Sequence, residues 1–313
     1  MAPFRPSKQV QGTVAALASA FFLGLTPIFG KLAIRAGMSP LGVAAWRTVL
    51  ATLLLYALLR AFRPQWLYIH TLGLIGSLLA GAINGLGSLF YYSALARIDA
   101  SLGQLLFALY PIFLSLWLWL DRQPLSRWTW LRIALAVPAV YFLTQTDPRA
   151  PADWVGVGMA LFASAMYALH LPINQRVLYE APAPTVTLYT LTAMSGVVAL
   201  AYGIFGPRTL PTTPERWQPL LGLTLVTFAS RLTLFLGVKH IGGMQAALLG
   251  LGELAVTVFF AHLWLGETLT RQQWIGAGLL LVVMLLGYFD QSGQRPRPRG
   301  QGWLRWLQPP ELP

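Results

Sequence analysis

Long apolar runs separated by short polar segments make up most of the chain. An α-helix needs about 20 apolar residues to cross the hydrocarbon core of a bilayer, and runs of about this length recur along the sequence. They predict ten transmembrane helices, which we place at residues 13–34, 40–62, 71–94, 99–120, 127–146, 154–175, 184–205, 218–238, 242–264 and 271–290. The separators carry proline, glycine or charged residues, which is typical of loops. The pattern therefore predicts an all-α integral membrane protein.

The composition agrees with that prediction. The 313-residue chain is 56% hydrophobic and 10% charged, whereas a soluble domain has about 25% charged residues. A net charge of +12 would suggest nucleic-acid binding in a soluble protein, but here the basic residues fall mostly between the apolar runs. Such charges set the orientation of membrane helices beside anionic lipid. We therefore expect contact with membrane lipid and no nucleic-acid partner.

The basic residues also predict the topology. If both termini are cytoplasmic, the cytoplasmic segments hold 12 lysines and arginines and the segments on the other side hold six. Positively charged loops stay in the cytoplasm, so we expect both termini there. The apolar run after Arg5 and Lys8 continues to Ile34, past the cleavage-like residues 16–20. It is therefore interpreted as a first helix that is not removed.

An internal repeat divides the chain. Residues 18–31 (ASAFFLGLTPIFGK) and 163–176 (ASAMYALHLPINQR) are identical at five of 14 positions. The motif Leu-(Ser or Thr)-Arg-x-x-Trp occurs at 125–130 and again at 269–274, with nearly the same separation. Motifs that recur in the same order at a nearly constant spacing indicate a duplication.

The duplication predicts two five-helix repeats, at residues 1–147 and 148–290, followed by a basic tail rich in proline and arginine at 291–313. Because each repeat has an odd number of helices, the second repeat would enter the membrane inverted relative to the first. Inverted repeats around a cavity at the bilayer midplane are the architecture of many alternating-access carriers. The sequence thus predicts ten transmembrane helices in two inverted five-helix repeats, and a transporter.

Further motifs are PIFGK at 27–31, Trp46-Arg47, YYSAL at 91–95, Pro111, LGETLT at 265–270 and WIG at 274–276. With these motifs, residues 12–290 resemble the EamA-type carriers of the drug/metabolite transporter superfamily. The resemblance implies a carrier that exports small organic metabolites, such as amino acids, across the plasma (bacterial inner) membrane. The chain departs from the resemblance at Glu253-Leu254, where such carriers often have a proline.

Glu253 is the only acidic residue deep within a predicted span. An intramembrane carboxylate is costly and usually faces a cavity or an ion-pair partner. Two interpretations stay open: Glu253 binds a proton or a cationic solute, or it forms a structural pair with Arg231 of the preceding helix. The helical rise of about 1.5 Å per residue places the two side chains at similar depths, so contact is feasible.

Other polar and aromatic side chains within the spans are candidates for lining a midplane cavity. Arg47 and Lys31 could each bind a solute carboxylate or extend to the membrane interface, and the interface is favoured for Lys31. Tyr110 aligns with Glu253 across the repeat. The remaining candidates are Gln104, Tyr91, Trp46, Asn84, Gln245, Tyr167 and His170. We expect no metal and no cofactor, because the histidines are isolated, cysteine is absent and no nucleotide-binding glycine motif occurs.

The favoured hypothesis is a secondary transporter and not an enzyme. It would export a small-molecule solute by alternating access, through proton antiport or facilitated flux. The alternatives are an importer, a flippase for lipid intermediates, an intramembrane enzyme and a non-transporting membrane scaffold or sensor. An enzyme would need a cluster of catalytic polar residues at one interface, and the sequence has no such cluster. No residue indicates the solute, the coupling ion, the direction or the oligomeric state.

Overall fold

A computed structural model describes residues 7–120, 125–145, 153–207, 213–242, 245–246, 249–250 and 252–289. Within these ranges every regular element is a helix, as the sequence predicts. The α-helices are α1 (Lys8–Arg35), α2 (Pro40–Phe62), α3 (Thr71–Leu95), α4 (Ala100–Phe107), α5 (Tyr110–Leu120), α6 (Arg127–Leu143), α7 (Trp154–Leu178), α8 (Ala183–Phe205), α9 (Pro214–Ile241), α10 (Gly252–Phe260) and α11 (Arg271–Phe289). A 3₁₀ turn (Pro64–Leu67) follows α2, and a π-helical turn (Ala261–Leu265) extends α10. The predicted tail at 291–313 lies outside the described residues.

Seven helical segments of the described chain are long and apolar enough to cross a membrane. They are α1, α2, α3, the pair α4–α5, α7, α8 and α9. The segments Gly252–Leu265 and Arg271–Gly287 are apolar but shorter, and α6 has 17 residues. A multi-pass helical membrane protein is therefore established, whereas the count of ten spans stays a prediction.

Two helices begin earlier than the apolar runs predicted. The first begins at Lys8 rather than at residue 13, because the hydroxyl of Ser7 accepts a hydrogen bond from the Val10 backbone at 3.3 Å. The ninth begins at Pro214 rather than at residue 218, since proline is favoured in the first helical turn, where its missing N–H leaves no partner unsatisfied. Both extensions are polar turns that cap a membrane helix.

The predicted span at 99–120 is broken into α4 and α5 at Ala108 and Leu109. Pro111 causes the break, because its ring nitrogen cannot donate to the carbonyl of Phe107 four residues earlier. The hydroxyl of Ser164 on α7 donates to that carbonyl at 2.7 Å. The freed backbone group is thus satisfied by a neighbouring helix, as it must be inside a bilayer.

The predicted span at 242–264 is also broken. The described part has a turn at Gly250 and a new helix, α10, from Gly252. The sequence-based prediction of one continuous helix with Glu253 near its middle was therefore wrong. Glycine is a poor helix former, and the glycines on either side of residue 251 put Glu253 into the first turn of α10.

Close packing by small residues places α1 against α9 and α10. The hydroxyl of Ser19 donates to the Ser230 carbonyl of α9 at 3.2 Å. On the other side, the hydroxyl of Thr257 donates to the Gly24 carbonyl at 2.7 Å. A Cβ on Gly24 would come within 2.6 Å of the Glu253 carbonyl, so only glycine allows this approach. Helix α1 thereby positions α10 and its glutamate.

A second close contact joins α3 to α7 and α8, its main neighbours. Gly81 faces the Thr190 carbonyl of α8 so closely that a Cβ would collide with it. A Cβ on Gly87 would lie 2.9 Å from Met166 of α7. Small residues at such positions let membrane helices approach each other, and here they bring helices of the two halves together.

Cationic side chains of α1 close one end of the bundle. The ammonium of Lys31 donates to the carbonyls of Leu95 and Ile98 at 2.7 Å each, where α3 ends. The guanidinium of Arg35 donates to the Leu265 carbonyl at 2.9 Å. Cations are favoured at helix C-termini, whose last carbonyls lack partners. Lys31 therefore holds helix ends together, and it does not line the cavity described below.

The carboxylate of Glu267 caps α4 at the same end. Its two oxygens accept from the backbone N–H groups of Ala100 and Ser101 at 2.9 Å each, and one also accepts from the Ser101 hydroxyl at 2.8 Å. Gly266 makes this possible by turning the chain in the left-handed region, at φ +68°. Partial burial raises the pKa of Asp99 next to this cap, and the negative charge of Glu267 adds to the rise.

We expect Glu267→Ala to destabilise the protein by about 1–3 kcal/mol, because two buried N–H groups at the start of α4 lose their acceptor. Thermal unfolding of the purified protein in detergent measures the change. Glu215→Gln, at an exposed position in the first turn of α9, is the control and should leave the midpoint nearly unchanged. An unaltered midpoint in Glu267→Ala would show that the cap contributes little.

Candidate functional site

A cavity of about 50 Å³ lies where helices from both halves of the chain meet. Its wall is formed by α1, α2, α3 and α4 of the first half and by α7, α8, α9 and α10 of the second. Seven of the side chains predicted from the sequence line it, namely Arg47, Asn84, Tyr91, Gln104, Tyr167, Arg231 and Glu253. The volume accommodates a few water molecules, so the described conformation is a contracted one.

Arg47 bridges three helices. From α2, its Nη1 atom donates to the Thr227 hydroxyl of α9 at 3.0 Å and its Nη2 atom to the Ser88 hydroxyl of α3 at 2.6 Å. The guanidinium also lies 4.6 Å from the centre of the Tyr92 ring, in a cation–π contact. Arg47 is 4% exposed, so these contacts replace water. No described carboxylate lies within ion-pair distance of it.

Arg231 is held by a histidine and an aromatic ring. Its Nη1 atom lies 3.5 Å from Nε2 of His170, and the guanidinium lies 5.5 Å from the Tyr167 ring centre. Arginine can only donate, so Nε2 of His170 must accept. The other ring nitrogen, Nδ1, then carries the proton and donates to the Tyr167 carbonyl at 2.6 Å. His170 is thus neutral and orients Arg231 from behind the cavity wall.

Glu253 is 5% exposed and lines the same cavity as Arg231. Among the described residues the two side chains form no ion pair within 4.0 Å. Nor does any described residue donate a hydrogen bond to the Glu253 carboxylate. The hydrogen bonds of Glu253 involve only its backbone carbonyl and N–H groups. The position in the first turn of α10 favours a negative charge, because the N-terminus of a helix is partially positive.

Aromatic side chains pack along one side of the cavity. The Tyr91 hydroxyl donates to Oε1 of Gln104 at 2.7 Å, which fixes both side chains. The Phe107 ring lies 4.9 Å from the rings of both Tyr91 and Tyr167. Tyr110 packs behind them, 5.1 Å from the ring of Tyr167. The result is an aromatic wall that contacts the Arg231 guanidinium through Tyr167.

Four predicted residues do not line the cavity. Tyr110 and His170 are buried directly behind Tyr167. Trp46 points elsewhere on α2 and packs against Trp217, with ring centres 6.3 Å apart. Gln245 is exposed. Whether any of these residues contacts a solute stays untested.

The sequence-based reasoning missed other lining residues, chiefly Ser88, Tyr92 and Phe107. A signal for the first two was present in α3. Asn84 and Tyr91 are seven residues apart, which is two helical turns, so Ser88 between them and Tyr92 beside Tyr91 share their face. Phe107 could have been found in the same way, because it lies three residues after Gln104 on α4 and shares its face. The described residues contain no group of three or more His, Cys, Asp or Glu placed to hold a metal ion.

Comparison with known proteins gives the family. A family model described as the EamA-like transporter family matches the chain twice, at residues 10–145 and 154–289. The chain belongs to this family. Its membership makes it a transporter rather than an enzyme, and the double match fits a two-repeat architecture. The inverted orientation of the second repeat stays a prediction.

Two relatives and one solved structure support the assignment. The chain is 26% identical over 285 residues to the uncharacterized transporter YcbK of Bacillus subtilis, covering 87% of this chain and 91% of that protein. It is 24% identical over 177 residues to the uncharacterized transporter YwfM of the same organism, covering 54% and 57%. A crystal structure with 15% identity superposes with a TM-score of 0.65 over 92% of this chain and 100% of that one. This last likeness shows the fold alone.

We expect Thr227→Val to lower the free energy of unfolding by about 1–3 kcal/mol, because the buried Arg47 guanidinium loses one of its two acceptors. Valine has nearly the same shape, so packing is retained. Thr233→Val is the matched control on α9, since the Thr233 hydroxyl bonds only to backbone carbonyls of its own helix. Equal effects of the two substitutions on the unfolding midpoint would contradict the proposed role of Thr227.

Proposed function

We propose that the protein is a secondary transporter that exports small organic metabolites, amino acids or similar compounds, by alternating access across the plasma (bacterial inner) membrane. The observation that supports this most is the buried polar cavity between the two halves. It contains charged side chains that an apolar helix bundle does not need for packing, and such groups inside membranes usually mark a transport pathway.

The contacts at the two ends of the bundle support alternating access. At one end, Lys31 and Arg35 of α1 bind helix termini, and Glu267 caps α4. At the C-terminal end of α2, the hydroxyls of Thr185 and Tyr189 on α8 donate to carbonyls of the Pro64–Leu67 turn at 2.7 and 2.6 Å. Opening the cavity to either side would require only one set of contacts to break. The cavity of about 50 Å³ is small in this conformation.

Glu253 is our candidate for proton coupling. Among the described residues it is the only acidic side chain in the cavity wall, and none of them binds its carboxylate in this conformation. A purely structural ion pair with Arg231 would bring the two side chains into contact, which the described geometry does not have. A carboxylate that is buried but not bound directly can gain and lose a proton as the cavity opens to each side.

We expect Glu253→Gln to abolish transport driven by a pH gradient, because glutamine keeps the size and polarity of the side chain but binds no proton. The measurement is flux in proteoliposomes with an imposed pH gradient, using a panel of amino acids, nucleosides, sugars and cationic drugs. Downhill counterflow of a transported solute should persist in this variant.

Glu215→Gln is the control, because Glu215 is exposed at the start of α9. It should transport like the unaltered protein. Full pH-driven flux in Glu253→Gln would remove Glu253 from the coupling role. Flux directed only into cells would favour an importer, translocation of a lipid intermediate would favour a flippase, and absence of any flux would favour a non-transporting protein.

We expect the start of α1 and the start of α9 to lie on opposite sides of the membrane. The chain contains no cysteine, so single cysteines at the exposed positions Ser7 and Thr213 can be labelled selectively. In intact cells, a membrane-impermeant maleimide should label Thr213→Cys and not Ser7→Cys, and both should react after lysis.

The reverse pattern would place the termini outside the cytoplasm. Similar labelling of both positions in intact cells would mean that an even number of helices separates them. That result would indicate that α6, with its 17 residues, does not cross the membrane.

A further inference from the structure

The charges in the cavity wall do not balance. Of the described side chains in the wall, Arg47 and Arg231 contribute two positive charges and Glu253 is the only acidic one. The two guanidiniums are near enough for their charges to oppose each other. Buried charges of one sign are costly inside a membrane unless an opposite charge joins them. The wall therefore lacks one negative charge.

The hydrogen-bond donors in the wall are also in excess. Arg47 uses two of its three nitrogens, and its Nε atom is buried without a partner. The Tyr92 hydroxyl is likewise buried without a partner. Arg231 has a single long contact, to His170. Unsatisfied buried donors are uncommon in folded proteins. Others occur elsewhere among the described residues, such as Ser77 and Asn174, but those of Arg47 and Tyr92 lie on residues that line a cavity, where an acceptor can bind.

The remainder of the wall carries no charge and combines apolar side chains with the polar side chains of Thr26, Asn84, Ser88 and Gln104. Leu23, Phe107 and Met194 line the cavity together with the rings of Tyr91 and Tyr167. These side chains suit the hydrocarbon part of a solute and bring no additional charge.

We propose that the solute is a monocarboxylate with an apolar body, whose carboxylate binds between Arg47 and Arg231. A carboxylate supplies the missing negative charge, and its two oxygens can accept from both guanidiniums. A cationic solute would instead meet two like charges. This inference rests on the proposed transport function, and it names the class of solute for the same cavity.

The geometry also gives the sign of coupling to protons. Glu253 interacts electrostatically with Arg231 of α9 and with Tyr91, Tyr110 and Tyr167 of α3, α5 and α7. The helices packed directly on α10 present only Leu23 and Thr26 of α1 and Gln104 and Phe107 of α4 to the cavity. Arg231 is thus the one cation that Glu253 and a solute carboxylate share.

Protonation of Glu253 removes the competing negative charge, so a proton and a carboxylate solute favour each other's binding. Such linkage is reciprocal. It predicts that proton and solute move in the same direction, and export would then follow the concentration gradient of the solute itself. Antiport, in contrast, needs proton and solute to compete.

The test compares matched probes that differ only in charge. The full-length protein in detergent is titrated with 3-phenylpropionate, 3-phenylpropanamide and 3-phenylpropylamine, and with 4-methylpentanoate and its amide and amine counterparts. Binding is measured by thermal shift and by tryptophan fluorescence. We expect at least one carboxylate to bind ten times or more tighter than its amide and amine. Equal or tighter binding of the amide or amine, or binding of neither carboxylate, would overturn the proposal.

Variants test the groups involved. Arg231→Gln should weaken carboxylate binding at least tenfold, whereas Arg60→Gln, at an exposed position of α2, should not change it. Glu253→Gln should bind the carboxylate more tightly at neutral pH and lose the increase in affinity that the unaltered protein shows on acidification. Arg47→Gln is less informative, because Arg47 also holds three helices together. Weaker carboxylate binding in Glu253→Gln would contradict the shared-cation argument.

The outcomes separate this inference from the proposed function. Carboxylate binding without flux in proteoliposomes would leave the site standing and remove transport. Flux of another solute class, with no carboxylate binding, would remove the inference and leave transport.

Discussion

Polar groups inside this helix bundle must find their partners within the protein, because the hydrocarbon core of a bilayer offers none. Each unsatisfied group there costs several kcal/mol. The requirement explains why the Ser164 hydroxyl binds the carbonyl freed by Pro111, and why Lys31 binds the last carbonyls of α3. In both cases the partner lies on a different helix, so satisfying the backbone also helps to fix how the helices pack. The architecture depends on this constraint more than on any apolar contact.

In the cavity, some buried polar groups have no partner within the described protein. Both carboxylate oxygens of Glu267 have partners, whereas Nε of Arg47 and the hydroxyl of Tyr92 have none among the described residues. A folded protein keeps unused buried polar groups mainly where they act on something that comes and goes. The unused donors of Arg47 and Tyr92, together with the charged side chains beside them, connect the structure of this cavity to transport.

The sequence predicted the fold class and much of the cavity, for identifiable reasons. Charged residues are rare within the apolar runs, so Glu253 and Arg231 stood out, and the structure places both on one cavity. Whether the two side chains touch was not predictable, because that depends on helix positions at the scale of an ångström. In the structure they form no ion pair within 4.0 Å. Trp46 was predicted to line the cavity from its residue type alone, but its side chain packs against Trp217 instead. The break before α10 was missed because hydropathy does not respond to glycine, which leaves the run apolar while ending the helix.

Glu267 belongs to the second half of the chain, yet the helix that it caps belongs to the first. If the two halves arose by duplication of one ancestral unit, this contact between them was acquired after the duplication. The first half thus depends on the second for the cap at the start of α4. The two halves can therefore not be exchanged or repeated without losing this cap, so selection acts on both halves together.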